Sequence, residues 1–146
     1  MSFYLKNAIF YLAIAALFSV FFVNPGSHFP FIIGKATVFR IIVGLMLVLW
    51  SFWMFGGNHN NKRFISSLTL TPLTKAVLAF GIIIFISALF GIDFYHSFFS
   101  GNERMEGVLG IWYFIAFFLV IATTFERVEI EKILKTQVFI GLFHSF

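Results

Sequence analysis

Residues 72–125 read PLTKAVLAFGIIIFISALFGIDFYHSFFSGNERMEGVLGIWYFIAFFLVIATTF. Two apolar runs in it, residues 72–92 and 108–125, are each about long enough to cross a bilayer. The polar island between them, residues 91–107, gathers acidic, basic, amide and histidine side chains between three glycines. The pattern predicts two membrane-spanning helices joined by a loop outside the hydrocarbon.

The composition excludes a soluble globular domain. Of the 146 residues 60% are hydrophobic and only 11% are charged, and the mean hydropathy is +0.98. We therefore predict one membrane domain, residues 1–146, folded as an all-α polytopic bundle. The net charge of +4 comes largely from residues that flank apolar runs and suit anionic headgroups, so no nucleic-acid partner is expected. The absence of cysteine excludes disulfides and thiolate metal sites.

Hydropathy places four complete spans at about residues 8–23, 36–55, 72–92 and 108–125, and the start of a fifth at Val138. Thr71 and Pro72 suit the N-cap and the first position of the third helix. Residues 138–146 would rise only about 14 Å as a helix, against a hydrocarbon core of about 30 Å. We expect the natural chain to continue beyond Phe146; a re-entrant or interfacial tail is the alternative.

The placement of lysine and arginine predicts the orientation. Seven basic residues fall on one side of the four predicted spans: Lys6, Lys62, Arg63, Lys75, Arg127, Lys132 and Lys135. The other side receives Lys35, Arg40 and Arg104. The positive-inside rule then puts the N-terminus in the cytoplasm, so the island and the first loop, residues 24–35, face outward.

Residues 126–137 predict a short amphipathic helix at the membrane surface. Phe125, Val128, Ile133 and Leu134 fall close to one face, and acidic residues precede basic ones along the segment. A surface connector is favoured over a partner-binding motif. Gly44 and Gly81 belong to no clear small-xxx-small pair, so the oligomeric state stays open.

Two loops resemble those of the bacterial O-antigen ligase and O-antigen polymerase-like membrane proteins. The first is residues 29–35, FPFIIGK, which lead through Phe39 and Arg40 into the second span. The second is the island, which is similar to the family pattern G-x-D-P-Y-x-S-F-W-G-N-x-x-R-x-x-G. This chain departs from that pattern at Phe94, Phe99 and Ser100, which loosens the turn and leaves the charged positions in place. The resemblance covers residues 29–125.

The resemblance implies a glycosyltransferase of the bacterial cytoplasmic membrane. Such proteins transfer a polyprenyl-diphosphate-linked glycan to an acceptor on the outer face, with no cofactor and no obligatory metal. Their catalytic arginines and histidine lie in a large outward loop downstream of the fourth span. No catalytic residue is therefore assigned here, and the 146 residues alone are expected to be inactive.

Three basic residues are candidates for substrate binding: Arg104, Arg40 and Lys35. Arg104 could contact a lipid-linked diphosphate, although a structural pairing with Asp93 or Glu106 is favoured. Arg40, about one turn inside the second span, could contact a diphosphate or an anionic lipid together with Lys35 on the preceding loop, and snorkelling to headgroups explains it equally well. The residues predicted to shape the loop are Asp93, Asn102, Glu106, Gly101 and Gly107.

Other sites are not predicted. No two histidines have the spacing of metal ligands on one helix, and no nucleophile or phosphate-binding motif occurs. Membrane lipids are the expected partners, with a polyprenyl-diphosphate-linked glycan as the possible substrate. The alternative function is a small non-enzymatic membrane scaffold or assembly protein, and a transporter fragment is the third.

Overall fold

The computed structural model of the protein describes residues 2–22, 30–55, 71–99 and 107–144. These ranges hold helices and no strand, which confirms the all-α prediction for the described part of the chain. The α-helices, numbered here in chain order, are α1 (Ser2–Phe18), α2 (Pro30–Phe55), α3 (Pro72–Leu89), α4 (Phe94–Phe99), α5 (Val108–Thr124) and α6 (Arg127–His144). A 3-10 turn at Ser19–Phe21 extends α1.

Three of the described segments are long and apolar enough to cross a membrane: Phe3–Phe21, Ile33–Met54 and Pro72–Leu89. The apolar helix α5 is shorter, at 17 residues. Helices of this length and composition need a nonpolar solvent on their outer faces. The protein is therefore a helical membrane protein.

Several helix bounds differ from those that hydropathy predicted. The helix α2 begins at Pro30, six residues before the predicted start. Proline suits the first position of a helix, because its missing N–H would have no partner there. Lys35 therefore lies in α2 and not on the preceding loop, where the sequence analysis placed it. The helix α3 ends at Leu89, and the chain turns at Phe90 and Gly91 instead of continuing to residue 92.

The start of α3 follows the predicted signal only in part. Thr71 occupies the N-cap position with an extended backbone, and Pro72 is the first helical residue. The Thr71 hydroxyl forms no capping bond to the backbone and instead shares a hydrogen bond with the Thr74 hydroxyl. Proline thus marks the helix start, while threonine contributes a local side-chain contact.

Contacts along α5 fix the directions of its neighbours. Phe39 of α2 stacks on Phe114 with ring centroids 4.8 Å apart, and further along both helices Trp50 Nε1 donates a hydrogen bond to Thr123 Oγ1 at 3.1 Å. The helices α2 and α5 are therefore parallel. The helix α3 runs the other way along α5, since Phe85 meets Trp112 near the start of α5 while Gly81 lies against Ile115.

The core lies where α1, α2, α5 and α6 meet. Its buried members are Ile9, Ala13, Met46, Val120, Phe125 and Ile133. The ring of Phe10 meets that of Phe125 edge-on at 5.6 Å, which places the first half of α1 beside the end of α5. Because α2 also ends there, α1 and α2 are antiparallel, as expected for helices joined by a short connection.

The last described segment is one helix, whereas the sequence predicted a surface helix followed by a separate span from Val138. The helix α6 continues through residue 138 because neither proline nor glycine stands at the change from charged to apolar sequence. Its buried positions include Ile133 and Ile140, which are 5% and 2% exposed. Two residues of the predicted apolar face, Val128 and Leu134, are exposed and do not pack in the protein core.

An ion pair joins the starts of α1 and α6. Lys6 Nζ lies 2.8 Å from Glu129 Oε2, and the same oxygen accepts the Glu126 backbone N–H at 3.0 Å. Burial raises the pKa of the Glu129 carboxyl, but the hydrogen bonds from Lys6 and the Glu126 backbone, with the charges of Lys6 and Lys132, lower it below its usual value overall. Lys6 and Lys132 thus lie near the same end of the bundle.

Candidate functional site

An apolar groove lies among the helices of the described residues. It has a volume of about 630 Å³ and is open at the surface, within the size range of small-molecule sites. The helix α5 forms its floor, α2 and α3 form its sides, and α4 closes part of one end. Its lining residues are Gly44, Leu47, Ile82, Phe85, Phe98, Leu109, Trp112, Tyr113 and Ala116.

Two glycines show how the packing around α2 differs from that around α3. A Cβ atom at Gly44 would meet nothing within 4 Å, so α2 presents open space to the groove. A Cβ atom at Gly81 would lie 2.8 Å from Ile115 Cδ1, so the side chain of Ile115 packs directly against this glycine of α3. Gly81 is thus a packing residue inside the bundle, a role that the sequence alone did not reveal.

Arg40 lies beside Tyr113, one of the residues that line this groove. Its guanidinium carbon is 6.0 Å from the ring centroid of Tyr113, a groove residue, at the outer limit of a cation–π contact. Arg40 also precedes Gly44 by four positions, so both residues share one face of α2. The structure therefore brings a cation, placed nearly three turns along its helix, to an apolar groove.

Lys35 does not share this position. Lys35 precedes Arg40 by five positions. At 100° per residue, the two side chains therefore leave α2 in directions about 140° apart. Residues spaced in this way do not face each other on a helix. The structure corrects the placement of Lys35 on a loop, because the helix already runs there. The joint action of Lys35 and Arg40 on one diphosphate stays a prediction.

The start of the island forms the short helix α4. Asp93 Oδ1 accepts the backbone N–H of His96 at 3.0 Å, and the Asp93 carbonyl accepts the N–H of Ser97 at 3.0 Å. This is the geometry of an N-capping aspartate. The cap holds α4 so that Phe98 reaches the groove, where its ring meets Phe85 at 6.3 Å.

Most of the remaining island lies outside the described residues, namely the predicted Gly101, Asn102, Arg104 and Glu106. Gly107 is described, and it precedes the first residue of α5 with φ −63° and ψ 175°. Any residue adopts that backbone conformation, so glycine is not needed there for a left-handed turn. Its carbonyl accepts the N–H of Gly110 at 2.8 Å and helps to start α5.

The described residues contain no group of three or more histidine or acidic side chains placed to hold a metal ion. Polar groups of described residues near the groove include the Arg40 guanidinium, the Tyr113 hydroxyl and the Trp112 indole N–H. Such a site can bind an apolar chain and a negative charge next to it. Among the described residues, none that lines the groove is a nucleophile with an adjacent base.

The sequence analysis selected Arg40 and missed the groove beside it. Three of the lining residues look like ordinary aromatic residues of an apolar chain: Phe98, Trp112 and Tyr113. Only the packing of α4 beside α5 brings them to one groove. One signal was available, since Gly44 follows Arg40 by one helical turn and leaves a gap next to a charge.

Comparisons with protein-family models, with curated proteins and with solved structures found no match to this chain.

Proposed function

We propose that this chain is the N-terminal membrane part of an O-antigen ligase-like glycosyltransferase in the bacterial cytoplasmic membrane. The proposal includes four spans, a cytoplasmic N-terminus and an outward-facing island. The full protein would transfer a glycan from a polyprenyl diphosphate to an acceptor on the outer face of that membrane.

One observation carries the proposal beyond the sequence resemblance. The two resembling segments come together in space, because Arg40, at the end of the first, contacts Tyr113, while Phe98 of the island lines the same groove as Tyr113. A donor with a long apolar chain and a diphosphate requires an apolar surface with cations at one end. The apolar groove, with Arg40 beside Tyr113, supports that assignment.

Arginine suits the proposed chemistry. When the glycan leaves the lipid, negative charge develops on the departing diphosphate, and a guanidinium can bind two of its oxygens at once. Arg104 and Arg40 are the candidates on this chain, with Lys35 on a different face of α2. The catalytic residues are expected in a downstream loop, so residues 1–146 serve as the scaffold and as one wall of the donor cleft.

The first test is the topology. Because the chain has no cysteine, single cysteines at Asn102 and at Lys62 can be labelled in intact cells with a membrane-impermeant maleimide. The proposal expects labelling at residue 102 and protection at residue 62. The reverse pattern would place the island in the cytoplasm and contradict the proposal.

The second test measures glycan transfer by the full-length protein in cells that lack the gene. Arg104→Glu is expected to reduce transfer about ten-fold or more, the effect of losing a charged hydrogen bond of about 1.5–3 kcal/mol. Arg127→Glu is the matched control, because Arg127 is exposed and lies at the opposite end of α5. Unchanged transfer by Arg104→Glu at normal membrane levels would remove Arg104 from the site.

The same cells test the function itself. Residues 1–146 expressed alone should give no transfer. If loss of the gene leaves every surface glycan unchanged, the enzyme hypothesis fails and the non-enzymatic scaffold becomes the better explanation.

A further inference from the structure

The short helix α4 has an aromatic side and a polar side. At 100° per residue, its aromatic residues fall within an arc of about 140°, and its two polar residues lie outside that arc. The aromatic residues are Phe94, Tyr95, Phe98 and Phe99, and the polar ones are His96 and Ser97. This division is typical of a helix that lies between a nonpolar phase and water.

The described part of the bundle covers only a portion of the aromatic side. Phe98 meets Phe85 and lines the groove, whereas Tyr95, further round the arc, is 71% exposed. The apolar residues of the preceding turn are exposed as well, Phe90 at 86% and Ile92 completely. A helix of six residues is too short to be stable alone in water, and exposed apolar surface favours a nonpolar medium. The exposed side of α4 and of its turn therefore indicates a nonpolar partner.

The position of this surface indicates that the partner is lipid. The 18 residues of α3 span about 27 Å, close to the hydrocarbon thickness of about 30 Å, so Phe90 lies at the edge of the hydrocarbon. Ile83, Ile86 and Phe90 follow one another at helical spacing on one face, and all three are exposed. The Phe90 N–H still donates to the Ile86 carbonyl at 3.2 Å, which keeps Phe90 in line with that face. The exposed surface of the turn thus continues the outer surface of a helix that is long and apolar enough to span the membrane.

We propose that α4 and the turn before it lie in the membrane interface, with lipid as the partner of Phe90, Ile92 and Tyr95 and with His96 on the side of the water. Tyrosine suits this depth, because its ring favours a nonpolar medium while its hydroxyl bonds to water or headgroups. The unbroken continuation of the exposed face of α3 favours lipid over a second copy of the chain. The first part of the predicted outer loop then belongs to the membrane surface. The proposal does not depend on the transferase function, and it leaves the groove to the lipid-linked donor.

Spin labels on single cysteines test the depth of α4, because the chain has no cysteine of its own. The labels replace Tyr95 and His96, adjacent residues on the aromatic and the polar side, in the protein reconstituted into vesicles of phosphatidylcholine and phosphatidylglycerol. A label at Ile83, which is exposed in the middle of α3, is the reference for hydrocarbon. Collisions with oxygen, which concentrates in lipid, are compared with collisions with a water-soluble nickel chelate.

We expect the ratio of oxygen to nickel collisions at Tyr95 to lie between the ratios at Ile83 and at His96. Equal ratios at Tyr95 and His96 would overturn the proposal, because the two sides of α4 would then face the same medium. Low accessibility of the Tyr95 label to both reagents would show that protein covers this side, and would refute lipid as its partner.

Hydrogen exchange in the same vesicles gives a second readout that needs no label. Tyr95→Ser removes a ring from the interface, so the α4 amides should exchange about ten-fold faster, from the lost transfer energy of one large side chain. His96→Ser is the matched control, since serine, tyrosine and histidine have similar helix propensities and His96 lies on the polar side. Tyr95→Trp keeps an interfacial ring and should keep the protection. Equal exchange in Tyr95→Ser and His96→Ser would also contradict the proposal.

Discussion

Replacing Gly81 by alanine tests whether α3 is docked on α5 as closely as the structure shows. The added Cβ would lie 2.8 Å from Ile115 Cδ1 and 3.6 Å from Trp112 Cζ2. Overpacking of this kind costs about 1–3 kcal/mol, while alanine gains about 1 kcal/mol over glycine in a helix. We therefore expect a net loss of about 0–2 kcal/mol.

A second substitution isolates the contact. Ile115→Val removes the atom that the new Cβ would strike, and alone it should cost about 0.5–1.5 kcal/mol because Ile115 is buried. In Gly81→Ala with Ile115→Val, the added methyl fills the space left by the removed one. The double variant should therefore be more stable than the sum of the single effects predicts, by about 1 kcal/mol.

The assay is unfolding in mixed micelles with increasing dodecyl sulfate, followed by tryptophan fluorescence. Gly44→Ala is the matched control, since its Cβ meets open space and only the helix preference changes. The reasoning is refuted if Gly81→Ala is as stable as Gly44→Ala. It is also refuted if the Gly81 and Ile115 effects are strictly additive.

Two further predictions concern the ends of the bundle. Glu129→Gln should destabilise the docking of α6 by about 1 kcal/mol, because the Lys6–Glu129 pair is partly exposed to solvent. Glu129→Gln and Glu131→Gln are compared by protease cleavage within α6. Equal cleavage of the two variants would contradict a role for the Lys6–Glu129 pair. Because the pKa of Glu129 is lowered in the folded protein, this stabilisation is present above the usual carboxyl pKa and is lost as the pH falls through the lowered value. At the other end, Asp93→Ala removes the cap of α4 at a cost of about 1 kcal/mol. Hydrogen exchange at the Ser97 amide should therefore accelerate about five-fold, while Asp93→Asn retains most of the protection. Unchanged exchange in Asp93→Ala would exclude the cap.

Local signals predicted the helices well where they were unambiguous. Val108 begins α5 as expected, and Pro72 begins α3. Pro30 is the same kind of signal, but Gly34 and Lys35 lowered the local hydropathy enough to move the predicted start of the span to residue 36. The start of a membrane helix is set by backbone geometry, whereas hydropathy reports only where the hydrocarbon begins.

The candidate site was less accessible from sequence. Arg40 could be selected as a candidate binding residue because a charged residue within an apolar helix is unusual. The space beside it depends on which faces of α2 and α3 meet α5, and those faces are all apolar, so no polar stripe distinguishes them. The likeness between residues 91–107 and the ligase-like pattern remains a prediction, since residues 100–106 lie outside the described residues.

The unequal lengths of α2 and α5 have a consequence for the surrounding bilayer. With 26 residues α2 is about 39 Å long, and with 17 residues α5 is about 26 Å long. The first length is greater than the hydrocarbon thickness of about 30 Å and the second is smaller. Because Phe39 is level with Phe114 and Trp50 with Thr123, α2 extends about 5 Å further than α5 at both ends. A flat membrane cannot match both helices, so we expect lipid to thin beside α5 and α2 to tilt. Thinning there would bring headgroups down toward Arg40, so that the mismatch itself shortens the distance between an intramembrane charge and the membrane surface.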